Sequence, residues 1–250
     1  MNVPSPHSVP ASVVGRAAVV CTSDEDAPPG VPGFIESRFS PLVRQAVDLC
    51  WSDAEPAEPG RLADRTAVLL LTSFGDATTT DLASRRLLEG QVRNPLLFYQ
   101  SVPTSILGFI TRELRITGPL TCLSVHDGST REAFETAGLM LADGDVDQLL
   151  LIGVELAGTA RTAAAGKGVP GAGRDPERGD AAVALLLRRQ QEASGSGAFA
   201  VDLGAVPDGS GPALPDGSGP PFPAAAAPGS GPLRAFGGLW AAIDHVRENK

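Results

Sequence analysis

His126 and Asp127 stand side by side at the end of an apolar run, 119–125, just ahead of a helical pattern that begins near Ser129. An imidazole beside a carboxylate is the raw material of general acid–base catalysis. Adjacent residues of an extended chain point to opposite sides, so the two can act together only if the chain turns here. The competing reading is structural: an Asp ahead of a helix caps its free N–H groups and sits well in the field of the helix dipole. Cys122 lies inside the same run. A reactive thiol needs an accessible, electropositive setting such as a helix N-terminus, and the middle of a strand makes it a core thiol instead.

Other chemistry finds little footing. No G-x-S-x-G supplies a nucleophile elbow. The glycines at 166–173 (GKGVPGAG) lack the Gly-Lys-Ser/Thr of a phosphate-binding loop. The cysteines, Cys21, Cys50 and Cys122, are too few and too widely spaced for a disulfide framework or a metal site; buried thiols in a reducing cytoplasm are expected. A net charge of −9 argues against nucleic acid as a partner. No basic segment followed by an apolar one marks a signal peptide, and no apolar run reaches the ~18 residues that a membrane span needs.

The elements that must position these residues alternate between strand and helix. Strands are expected at 17–21, 66–72, 119–125, 146–154, 180–187 and 198–203. Helices are expected at 41–51, 81–89, 101–114 and 129–142. Ser40 before Pro41 and Ser101 before Pro103 read as helix caps. The run TAVLLLT at 66–72 is apolar throughout, as in a parallel strand covered on both faces. Such alternation predicts an α/β fold with a largely parallel sheet and helices on both faces. Residues 1–15 are expected to be flexible, 16–205 to form the domain, and 158–179 to be a loop within it. The tract 206–232, with its repeated Pro-Asp-Gly-Ser-Gly-Pro, is expected to be disordered. A C-terminal helix at 233–250 carries Leu239, Trp240, Ile243 and Val246 on one face and is expected to dock on the domain or a partner.

Several landmarks in order carry a family resemblance. Asn94-Pro95 opens a segment that runs through Gly108 to Gly118-Pro119. The acidic turn at 141–147 leads into LLLIGVE, and Gly179-Asp180-Ala181-Ala182-Val183 begins the next strand. Across roughly 15–205 this resembles the N-terminal βαβαβ half of a β-ketoacyl synthase, a layered thiolase-like fold. In that family a strand after Gly-Pro ends in a sharp turn bearing the Cys nucleophile. Counted from Gly118-Pro119, that position falls on Asp127. A carboxylate is a poor nucleophile toward a thioester. The family's second half also supplies two histidines, and His7, His126 and His245 do not resemble that pair.

The resemblance implies a chain-length-factor-type subunit, non-catalytic by itself, that forms a heterodimer with a full-length ketosynthase. The short form resembles those of polyene and aryl-polyene type II polyketide pathways. Such a subunit shapes the tunnel for acyl chains carried on phosphopantetheine. It meets the acyl carrier protein through its partner and needs no cofactor of its own. On this resemblance, the interface and tunnel would draw on Leu120, Cys122, Ser124, His126 and Asp127, and on Phe98, Ser101, Ser105, Ile106 and Phe109. Phe98 and Phe109 are either stops for the acyl chain or ordinary core residues. Two other classes stay open: an acyl-thioester hydrolase using Asp127 and His126, and a homodimeric carrier-binding scaffold.

Overall fold

The computed structural model describes residues 10–54, 59–91, 95–125, 130–165, 179–189 and 200–202. His126, Asp127, the 206–232 tract and the expected C-terminal helix lie outside them. A six-stranded sheet runs in the order β3-β2-β4-β5-β1-β6. Its members are β1 (Pro10–Cys21), β2 (Thr66–Thr72), β3 (Leu120–Ser124), β4 (Gln148–Glu155), β5 (Asp180–Arg189) and β6 (Ala200–Asp202). β2 is parallel to both β3 and β4. β5 then runs antiparallel to β4 and to β1, and β6 is antiparallel to β1. The sheet is therefore mixed, a parallel core of three strands with an antiparallel flank, rather than largely parallel.

Every residue of β2 and β4 is buried, which is why their sequences show no polar alternation. The two faces are nonetheless distinct. Val68, Leu70, Leu150 and Ile152 join one core beneath α1 (Phe39–Asp53) and α4 (Ser105–Leu114). Ala67, Leu69, Leu149 and Leu151 join a second core beneath α5 (Thr130–Ala142), which contributes Phe134, Ala137 and Leu141. The result is a layer of helix on each side of the sheet.

Some local expectations need correction. The first strand begins at Pro10, so residues 10–15 belong to the sheet instead of a flexible end. Its pairing with β5 shifts register between Val13 and Gly15, and that bulge interrupts the alternation by which a strand is recognised. A Cβ on Gly15 would lie 2.4 Å from the Cys50 carbonyl oxygen, so the bulge lets α1 press on the strand. Ser40 is buried inside α1, whose N-cap is Arg38. The helix expected at 101–114 starts only at Ser105, as α4, and a separate helix, α3 (Pro95–Ser101), precedes it across a break at 102–104. Pro103 has no N–H to donate, and it disfavours helical geometry at Val102. Ser101 ends α3 rather than capping a helix, and its hydroxyl donates to the Phe98 carbonyl (2.7 Å). A short helix, α6 (Ala160–Ala165), stands within the expected loop 158–179. The helix expected at 81–89 starts four residues earlier, as α2 (Ala77–Leu88) capped by Asp76.

Candidate functional site

The carboxyl ends of β2, β3 and β4 emerge together, the place where open α/β sheets gather their functional groups. β2 delivers Thr72 and then the loop Ser73-Phe74-Gly75-Asp76. β3 ends at Ser124, paired with Thr72, and the Val125 N–H donates to the Thr72 carbonyl (3.1 Å). The Ser124 hydroxyl donates to the Ser73 carbonyl (3.1 Å). β4 ends at Glu155, a buried acid closing an otherwise apolar strand.

The Glu155 carboxyl accepts from the Ser73 N–H. Burial pushes its pKa up from 4.5 to about 7, against the opposing pull of hydrogen bonding from Ser73. Asp76 is also buried. One of its oxygens accepts from the Ser37 hydroxyl (2.6 Å) and the Thr79 hydroxyl (2.7 Å), the other from the Thr79 N–H (3.0 Å). Burial raises its pKa, and these hydrogen bonds oppose the rise. This is the capping pattern of an acid at a helix N-terminus. At the same sheet end Asp180 accepts from the Ala157 N–H (2.8 Å) and from Arg38 (3.4 Å). Neither Glu155 nor Asp76 was singled out in the sequence. The available signal for Glu155 was a lone acid closing an apolar run, LLLIGVE.

The site residues expected from sequence fall into four groups. β3 is the edge of the sheet, paired with β2 on one side and with no strand on the other among the described residues. Along it Leu120 is 44% exposed, Thr121, Cys122 and Leu123 are half-buried, and Ser124 is exposed. Cys122 packs against the core beneath α1 and α4, and burial pushes its thiol pKa up, the reverse of activation.

On α4, Ile106 is fully buried and Ser105 is buried, its hydroxyl donating to the Tyr99 carbonyl (2.6 Å). Phe109 is half-buried, with the guanidiniums of Arg44 and Arg112 at 5.5 and 5.8 Å from its ring centre and Phe34 edge-on at 6.4 Å. α3 differs: Leu96 and Phe98 are 60% and 75% exposed, so Phe98 is no core residue of this chain. His126 and Asp127 lie outside the described residues. Among the described residues no cluster of His, Cys, Asp and Glu could hold a metal ion, and no helix is long and apolar enough to cross a membrane.

No protein-family model matches the chain, and no curated protein does. Solved structures do match. The ketosynthase/chain length factor of ishigamide superposes with a TM-score of 0.56 at 16% identity, over 74% of this chain and 63% of that one. A β-ketoacyl synthase from Burkholderia phymatum gives 0.55 at 16%, over 73% and 59%. A type II polyketide synthase acyl-carrier protein in complex with its ketosynthase bound to the hexaketide gives 0.54 at 13%, over 73% and 64%. The fold is ketosynthase-like. The chain spans 59–64% of the length of these three structures. Within this fold the glycine of Gly118-Pro119 has a direct physical reason. A Cβ there would sit 2.3 Å from the Thr66 carbonyl oxygen, so only glycine lets β3 start this close to β2.

Proposed function

We propose that this chain is a non-catalytic, chain-length-factor-type subunit that pairs with a full-length ketosynthase and shapes the tunnel for its acyl chain. The observation that carries the reading is β3, a half-exposed edge strand on a ketosynthase-like fold. Bare edges invite pairing with another chain, and proteins cover or blunt them. This edge has no Pro, Lys or other charged residue along Leu120–Ser124 to discourage pairing. The exposed apolar side chains of α3 favour burial in a partner for a separate reason, the removal of apolar surface from water.

The chemistry of the strand supports a non-catalytic role. Cys122 has a raised pKa and a place in the core, and the position expected to bear a nucleophile carries Asp127 in the sequence. The acyl chain, held as a thioester on a carrier protein, would be condensed by the partner. This chain would meet the carrier only through that partner and would work without a cofactor of its own. The proposed setting is a type II polyketide or polyene pathway.

Co-expression with a full-length ketosynthase tests the proposal. A 1:1 complex burying more than ~2,000 Å² is expected, together with condensation activity that the ketosynthase lacks alone. Intact-mass measurement should find no acyl adduct on this chain. A stable monomer beside an active lone ketosynthase, or an acyl adduct on Cys122 or Asp127, would refute it.

A further inference from the structure

The loop 73–76 touches more of the molecule than its four residues suggest. Its Ser73 carbonyl holds the Ser124 hydroxyl at the end of β3 (3.1 Å). Its Gly75, at φ +61, donates its N–H to the Thr72 hydroxyl (3.0 Å). A Cβ on Gly75 would come within 2.8 Å of the Pro103 ring, so the loop also abuts the break between α3 and α4. Asp76 fastens its far end to Ser37, ahead of α1 (2.6 Å). Beneath the loop the Glu155 side chain reaches across from β4 and accepts from the Ser73 N–H.

We propose that Glu155 is a positioning residue that sets, through Ser73 and the loop 73–76, where the end of β3 and the α3–α4 break stand. That these two segments face a ketosynthase and its acyl chain rests on the subunit reading above; the coupling between them does not. A carboxyl that only filled space at the end of β4 would not need to bond the loop backbone at Ser73. Glu155 spans strand and loop, and the loop in turn spans β3 and the helix break.

The coupling has a pH signature. Burial is the leading cause of the raised Glu155 pKa, and the Ser73 hydrogen bonds are what oppose it. Among the described residues, the titratable and charged groups at this end of the sheet include Asp76 on the loop, Asp180 at the start of β5, Arg38 ahead of α1 and Cys21 at the end of β1. Opening the loop would return Glu155 to water and to its ordinary range. Ionisation therefore favours the open loop, and raising pH from 6 to 8 should increase the open population about tenfold.

Amide hydrogen exchange on the full chain, corrected for intrinsic rates, reads this directly. In the wild type, the Ser73, Gly75, Val125 and Ser105 amides should gain about tenfold excess exchange between pH 6 and 8, while Leu69 and Leu151 in the central strands gain none. Glu155→Gln keeps the shape without the charge, so the excess should vanish at all four amides. Ser124→Ala should abolish it at Val125 and leave it at Ser73. Excess exchange that persists in Glu155→Gln, or that is confined to Ser73 in the wild type, overturns the proposal. The complex with a ketosynthase tests the other link. If exchange behaves as expected but product length is the same for wild type and Glu155→Gln at pH 6 and 8, the coupling stands and its place at the acyl tunnel falls.

Discussion

Replacing Glu155 by Gln should make the protein more stable at pH 8, and the size of the gain follows from burial. The wild-type carboxyl titrates near 7 in the folded chain and near 4.5 when exposed. The folded chain thus holds this proton more tightly than the unfolded chain. Stability from the group is complete below about pH 4.5, drains as pH rises through 7, and above that leaves a constant penalty. The gap between 4.5 and about 7, at about 1.4 kcal/mol per pH unit, makes the penalty about 3 kcal/mol. About 2.5 kcal/mol of it accumulates between pH 5 and 8. The amide of Gln keeps an acceptor for the Ser73 N–H and carries no charge to desolvate. Urea unfolding of both proteins at pH 5, 6.5 and 8 isolates this group, because every other carboxyl titrates alike in the two. The difference in unfolding free energy should move in favour of the Gln variant by about 2.5 kcal/mol from pH 5 to pH 8. A difference that does not change with pH, or that moves in favour of Glu, would refute the argument that desolvation governs this carboxyl.

Phe98 and Phe109 should respond oppositely in the isolated chain. Phe98→Ala removes an exposed ring and should change stability by less than about 0.5 kcal/mol, while weakening a complex with a ketosynthase measured by titration. Phe109→Ala strips a half-buried ring from between two guanidiniums and Phe34 and should cost about 2 kcal/mol by chemical denaturation. Equal stability losses would contradict the difference in their surroundings. Gly118→Ala forces a methyl against the Thr66 carbonyl and should cost about 1–3 kcal/mol or more, visible as lost exchange protection along β3; a neutral result would show that β3 can shift away freely. Asp76→Ala removes the cap of α2 and should cost about 1 kcal/mol, seen as lower helix content on mild heating.

The sequence by itself determined the parts of this protein that depend on local pattern. The apolar runs within β2 and β4, short and bounded by polar residues, read as strands covered on both faces. The bulk of α1 follows from its apolar face, and Gly118-Pro119 marked the start of β3. The order of these landmarks resembles a ketosynthase, and the tertiary structure has that fold. What the sequence could not decide is set by neighbours far along the chain. The direction of β5 depends on which ladder it joins, and nothing in DAAVALLLRR encodes antiparallel against β4. The break at 102–104 is the exception, local in origin: Pro103 interrupts the helix, and apolar spacing alone does not register its missing N–H. Phe98 carries the same chemistry as a core phenylalanine, and only the packing of α3 leaves it exposed. Glu155 reads as one acid among many until β2, β4 and the loop 73–76 close over it. Its proton affinity comes from lost water, and how much water is lost is a property of the assembled fold.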